Sequence, residues 1–294
     1  MKKSKTVILV DSGCDVPQSL IQKYNMKVLR LRVSYENEHY MDSVALAYDV
    51  YKRFPEEIPH TSTPVMQDYY DMIEEIKEEG YENVIGVFIS SKLSSTCHTA
   101  HLVFQEHPEL NSFILDSKNI SIGSGLLAIW AAQQVSNNVP FEEICAKLSG
   151  KVKDSKVFFY MDTLEYLRKG GRIGGVASVA GSLLKIKPII SCNEEGSYYT
   201  VEKIRGAKAA KEKLLHHVEE FCNDRPAMLA LMNGDAAEEA AAMKPLLKKA
   251  IKQGKIVAED QITATLAINT SGCIPPDVPT RINVSAPQCT SSSS

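Results

Sequence analysis

The 294-residue chain has no long uninterrupted apolar run, no excess of basic charge, no closely paired cysteines and a single tryptophan. Each absence removes a class of protein. The longest apolar stretch, Ile120 to Val135, is broken by Ser121, Gly123, Ser124, Gly125, Gln133 and Gln134, so it falls short of the ~20 residues that a membrane span demands. Met1 to Thr6 is basic, but the apolar run behind it, Val7 to Val10, is too short for a signal-peptide core and ends at Asp11. With 33 Lys and Arg against 36 Asp and Glu, the net charge of −3 lacks the basic excess of a nucleic-acid binder. The seven cysteines (14, 97, 145, 192, 222, 273 and 289) are odd in number, without a C-x-x-C pair or a zinc-finger histidine. They read as reduced thiols of a cytoplasmic protein, with no metal and no cofactor. Carboxylates show no glycosidase or metal spacing, and Asp11 and Asp15, four apart across a turn, match a metal site poorly.

What is present is an alternation of strand and helix patterns. Thr6 to Asp11, Met26 to Tyr35, Val84 to Ile89 and Ser112 to Asp116 read as strands. Helices are expected after Pro17, around Ala47 to Tyr51, from Pro64 to Glu79, after Ser94, from Ser121 to Gln134 and from Phe141 to Val152, with Tyr40 to Asp42 as loop. Such alternation predicts an α/β protein with helices on both faces of a parallel sheet. Near residue 155 the pattern changes. A strand from Val157, a hairpin of Ile186 to Ser191 with Tyr198 to Lys203, and further helices and strands to Glu259 form a second α/β unit. The expected organisation is an N-terminal three-layer parallel-sheet domain over 1–154, a C-terminal α/β domain over 155–268 and an atypical Pro- and Ser-rich tail over 269–294.

Hydroxyl groups gather at the strand-to-helix turns. Ser90-Ser91-Lys92-Leu93-Ser94-Ser95-Thr96 holds four Ser and one Thr in seven residues, and Asp11-Ser12 and Thr61-Ser62-Thr63 occupy two more turns. In an open α/β sheet these turns share one edge, where helix N-termini favour an oxygen-bearing anion. A simple N-cap role for Ser94, Ser95 or Thr63 is the plain alternative. A Ser94 nucleophile with His98 as base is a further reading, but the G-x-S-x-G elbow is absent, so convergent hydroxyls point to holding a ligand rather than cutting it. Arg168-Lys169-Gly170-Gly171-Arg172-Ile173-Gly174-Gly175 is neither a phosphate-binding P-loop nor a dinucleotide fingerprint. It reads equally as a basic surface, joined by Arg205, or as a helix end complemented by cations and closed by glycine.

Four of these stretches together resemble the DegV family of bacterial fatty-acid-binding proteins. Asp11-Ser12-Gly13-Cys14-Asp15 is similar to its D-S-x-x-D element, Thr61-Ser62-Thr63-Pro64 to T-S-x-P, and Ser90 to Thr96 to S-S-x-L-S-x-T. The most specific match is Asp162-Thr163-Leu164-Glu165-Tyr166-Leu167-Arg168-Lys169-Gly170-Gly171-Arg172-Ile173, and the resemblance covers about residues 5 to 260. It implies a two-domain protein that is not itself an enzyme and holds one long-chain fatty acid between its domains. The carboxylate would lie on Thr61 or Ser62 and Ser94, with Ser95 and Thr96 completing the turn. The family presents the acid to a separate fatty acid kinase, which phosphorylates the carboxylate with ATP. Arg168, Arg172 and Arg205 would then face the acyl phosphate or the kinase, and replacing Arg172 would spare fatty-acid binding. The family's closing strand and His-bearing G-x-H-x-G-P-G loop have no counterpart in the sequence after Thr265: no His lies beyond His217. The tail is therefore expected to lack or replace that strand and loop, and to weaken the hold on the carboxylate.

Overall fold

The apolar run Thr6–Asp11 forms β1, at the middle of a four-stranded parallel sheet. A computed structural model describes residues 5–54, 56–161, 164–177, 186–270 and 282–285, the last four as backbone. β1 pairs in parallel with β2 (Lys27–Leu29) and later in the chain with β6 (Asn83–Phe88), which pairs with β7 (Asn111–Asp116). Five of the six residues of β1 and of β6 are buried, as a strand covered on both faces requires. Between β1 and β2 lie a 3₁₀ turn (Ser12–Cys14) and α1 (Gln18–Tyr24). The expected strand from Met26 to Tyr35 is in fact two. It breaks at Arg30-Leu31, and its second half, β3 (Arg32–Ser34), enters a separate antiparallel sheet with β4 (His39–Met41) and β5 (His60–Ser62). β4 falls where a loop was predicted; all three of its residues are exposed, so it carries no burial pattern for sequence reasoning to find.

α2 (Val44–Arg53) is capped by the Ser43 hydroxyl, which accepts the Leu46 N–H. α3 (Met66–Glu78) starts later than Thr63-Pro64 predicts. The Asp68 carboxylate accepts the Val65 N–H, so Thr63 is not the cap and Thr61 and Ser62 sit in β5. α3 and α4 (Thr96–Gln105) cover one face of the parallel sheet through Tyr69, Ile73, Ile76, Ala100, Val103 and Phe104. The other face meets α5 (Ile122–Ser136), whose residues are buried without a break from Ile122 to Ala132. A helix apolar all round must be covered on every side. α5 achieves this by lying between the parallel sheet and a second, six-stranded sheet, with α1 and α6 (Phe141–Lys151) beside it. Gly125 lets α5 approach the 3₁₀ turn: a Cβ there would overlap the Cys14 carbonyl oxygen.

The second sheet is mixed. Its order is β10 (Tyr198–Arg205), β9 (Ile186–Cys192), β8 (Val157–Tyr160), β13 (Ile282–Ser285), β11 (Ala227–Asn233) and β12 (Gly254–Gln261). Short α7 (Glu165–Lys169) follows β8, while α8 (Ala207–Cys222) and α9 (Ala237–Ala250) cover the outer face with Leu214, Val218, Met243 and Leu247. The protein is thus α/β, with a three-layer parallel-sheet part and a further α/β part sharing the core around α5. A closing strand does occur: β13 pairs antiparallel with β8 and β11. Of the tail expected to be atypical, 271–281 and 286–294 lie outside the described residues. α10 (Ala264–Thr270) leaves the second sheet and packs on α2 and α7. Among the described residues no helix is long and apolar enough to cross a membrane.

Candidate functional site

Each turn beyond the carboxyl end of the central strands is built from local hydrogen bonds. After β6, Ser90 O accepts the N–H groups of Leu93 (2.9 Å) and Ser94 (3.1 Å), and the Ser90 hydroxyl accepts that of Lys92 (3.1 Å). Ser91 donates its hydroxyl to Asp116 at the end of β7. The Ser94 hydroxyl accepts the Thr96 N–H (3.3 Å) and lies 2.9 Å from the Thr96 hydroxyl. It makes no hydrogen bond with His98 among the described residues, so the Ser–His pair of the hydrolase reading is not formed. Gly196, in the turn between β9 and β10, packs directly on this loop. Its φ is +90°, and a Cβ there would overlap the Ser90 hydroxyl.

A cleft opens between the loop, β5, α10 and β10. It is lined by Thr61, Ser62, Thr63, Ser94, Arg172, Tyr198, Thr265 and Asn269 on its polar side and by Leu31, Ile89, Leu93, Ile120 and Leu266 on its apolar side. Two hydroxyl stretches far apart in sequence therefore converge, but by another route than a shared sheet edge: Thr61 and Ser62 come from β5 of the separate antiparallel sheet, Ser94 from the loop after β6. Of the residues singled out from sequence, Thr61, Ser62, Ser94 and Arg172 line the cleft. Ser95 is exposed outside it, and buried Thr96 serves Ser94. Arg168 is exposed on α7, whose last turn carries Arg168 and Lys169 and closes at Gly170, so the helix-end reading holds for these two cations. Arg205 is exposed at the end of β10. Arg172 turns the other way. Its Nε donates to Leu93 O (3.4 Å) and its Nη1 to Gly170 O (2.5 Å), and among the described residues no carboxylate pairs with it.

Beneath the cleft lie three fully buried carboxyls. Asp11 accepts the N–H of Ile89 (2.9 Å), and Asp42 accepts that of Thr265 (2.8 Å) and the Ser12 hydroxyl (2.7 Å). Ser12 also accepts the N–H of Leu31 (3.0 Å), so the first hydroxyl cluster supports the cleft wall instead of lining it. Asp15 accepts the N–H of Thr263 (2.9 Å) and the Ser121 hydroxyl (2.5 Å). Burial pushes Asp11 up to about 7 and Asp15 up to about 8, and raises Asp42 for the same reason. Sequence reasoning missed Asp42, Thr265, Leu266 and Asn269. Asp42 follows an exposed strand, and the other three reach the cleft only through the packing of α10. Among the described residues no group of His, Cys, Asp or Glu is arranged to hold a metal ion.

Residues 5–271 match the profile of a family described as "Uncharacterised protein, DegV family". A DegV domain-containing protein of Clostridium acetobutylicum is 39% identical over 244 residues, spanning 83% of this chain and 87% of its own length. Among solved structures, a DegV-family protein of Thermus thermophilus, described by its fatty-acid binding, superposes with a TM-score of 0.84 at 26% identity, over 97% of this chain and 99% of its own. A DegV lipid-binding protein of Thermotoga maritima does so with a TM-score of 0.83 at 27% identity, over 96% and 98%.

Proposed function

The chain belongs to the DegV family, and from that premise we propose that it binds a long-chain fatty acid, with the carboxylate in the Thr61–Ser94–Arg172 cleft and the acyl chain on the apolar side between the two α/β parts. The observation that carries this reading is the composition of the cleft. Six hydroxyl-bearing side chains (Thr61, Ser62, Thr63, Ser94, Tyr198 and Thr265) and one cation without a described carboxylate partner adjoin Leu31, Ile89, Leu93, Ile120 and Leu266. A single guanidinium with hydroxyl donors matches the charge and geometry of one carboxylate, and the apolar lining suits a hydrocarbon, which contributes about 0.8 kcal/mol per buried methylene. The described solved relatives bind fatty acid or lipid by their own descriptions, which supports the same ligand class.

Displacement of a fluorescent fatty acid tests the reading. A C16 or C18 acid should displace it, and the alcohol of the same length should do so at least tenfold more weakly, since its neutral hydroxyl lacks the charge and the second oxygen that pair with Arg172. Equal competition by acid and alcohol, or no binding of either, contradicts the proposal. The further step, presentation of the acid to a separate fatty acid kinase that phosphorylates it, rests on the family resemblance and on the exposed cations Arg168 and Arg205. With such a kinase, replacing both by Ala should slow phosphorylation of the bound acid while leaving its affinity unchanged. Unchanged phosphorylation would remove the two residues from the docking surface.

A further inference from the structure

The backbone on either side of Arg172 is pinned. Before it, the N–H groups of Gly171 and Arg172 return to Arg168 O (3.0 Å) and Leu167 O (2.9 Å), the paired bonds that close a helix C-terminus. After it, Gly175 N–H donates to Tyr198 O (3.1 Å), and Gly175 bridges in parallel with Tyr199 of β10. A Cβ on Gly175 would stand 2.8 Å from the Tyr198 carbonyl oxygen. That oxygen is backbone, and Tyr198 is locked into the β9–β10 ladder opposite Cys192. A side chain at 175 therefore lifts the Arg172 segment off β10 before it bends the ladder. The loop that carries Ser94 meets the same hairpin at its turn. Asn193 closes that turn: its carbonyl accepts the Gly196 N–H (2.9 Å), and its side-chain oxygen accepts those of Glu195 (3.1 Å) and Ser197 (2.9 Å). Gly196 lies against Ser90, whose carbonyl in turn accepts the Ser94 N–H. Arg172 Nε, donating to Leu93 O, ties the two loops together.

We propose that the β9–β10 hairpin is the common seat of both carboxylate-binding loops, and that Gly175 and Gly196 are positioning residues that set the spacing between Arg172 and Ser94. The proposal rests on the carboxylate reading of the cleft. A carboxylate presents two oxygens at a fixed separation, so donors from separate loops hold both only when their spacing is set in advance. An alcohol presents one oxygen and tolerates a change in that spacing. Neither glycine lines the cleft. The hairpin thus governs selectivity for the head group through the two loops resting on it.

The test measures binding of a C18 acid and the C18 alcohol to the full chain by calorimetric titration. Gly175→Ala should weaken the acid at least tenfold and the alcohol less than about threefold. With Arg172 already replaced by alanine, the same change should alter the acid by less than about threefold, because it acts through that side chain. Gly196→Ala is the second variant and should lower acid affinity selectively, with the effect lost in a Ser94→Ala background. Gly150→Ala, at a helix position with open space around it, should match the parent. Equal losses for acid and alcohol, an undiminished effect of Gly175→Ala without Arg172, or a parent-like Gly175→Ala would each overturn the positioning role. If the parent binds no acid, the carboxylate reading fails, and crystal structures of the parent and Gly175→Ala decide the seating separately. A guanidinium displaced from Leu93 O by about 1 Å or more supports it, and one that stays in place overturns it.

Discussion

Replacing Arg172 and Ser94 together with alanine should weaken binding of a C16 or C18 acid by about 30- to 1,600-fold, while the alcohol of the same length changes by less than about threefold. A hydrogen bond to a charged group contributes about 1.5–3 kcal/mol and a neutral one about 0.5–1.5 kcal/mol, and each 1.4 kcal/mol is about tenfold in affinity. Arg172 dominates because among the described residues no carboxylate neutralises it: its bonds run to the carbonyls of Leu93 and Gly170, which fix its head at the cleft. This proposal differs from the reading the resemblance implies, in which Arg172 faces the acyl phosphate or the kinase and its loss spares binding. Arg168 lies outside the cleft lining, so Arg168→Ala is the control. Calorimetric titration of acid and alcohol reads the result; equal losses for both ligands would mean that the substitutions disturbed the fold and not the carboxylate contact.

Stability should fall as pH rises from about 4 to 8, and Asp15→Asn should make the fall shallower by a few kcal/mol. Asp11 and Asp15 are fully buried, and their carboxyls are pushed up to about 7 and about 8 by burial, against 3.8 ordinarily. Desolvation outweighs the N–H and hydroxyl groups that favour the ionised form. The unfolded chain releases these protons near the ordinary value, and the folded chain keeps them until pH 7–8. Across that window the folded state binds more protons, so stability present at low pH is lost as pH rises. Asp42 adds in the same direction. Exposed Glu109 works oppositely and lower: it is held at about 2, first by His107, so its contribution is lost only as pH falls below its ordinary range. Urea unfolding at pH 5 and pH 9 checks this, and identical pH dependence in the parent and Asp15→Asn would show that Asp15 ionises normally in the fold.

The residues legible from sequence are those whose neighbours in sequence are also their neighbours in space. β1, β6, β7 and the β9–β10 hairpin follow from apolar runs and a turn, and buried α5 from its lack of charge. The break between β2 and β3 was hidden because Val28, Leu29, Leu31 and Val33 continue one apolar pattern while the chain changes sheet at Arg30-Leu31. Convergence of Thr61 and Ser62 with Ser94 was expected, but its route was not: the two lie in β5 of a separate antiparallel sheet and not at a turn on the parallel sheet's edge. The α10 wall was not, because Thr263 and Thr265 meet Asp15 and Asp42 across more than 220 residues. Asp11-Ser12-Gly13-Cys14-Asp15 was visible as an element, yet nothing in its spacing says that it supports the cleft from beneath. Its serine faces Asp42 and its two carboxyls face backbone N–H groups.

The central claim is the place of the carboxylate, and a crystal structure of the protein with a bound C16 or C18 acid tests it most directly. The acid's oxygens should lie within hydrogen-bond distance of the Ser94 hydroxyl, of Thr61 or Ser62, and of the Arg172 guanidinium. A carboxylate found instead in the 320 Å³ cavity beside Arg30, Ser43 and Asp260, with Arg172 and Ser94 untouched, would contradict the account.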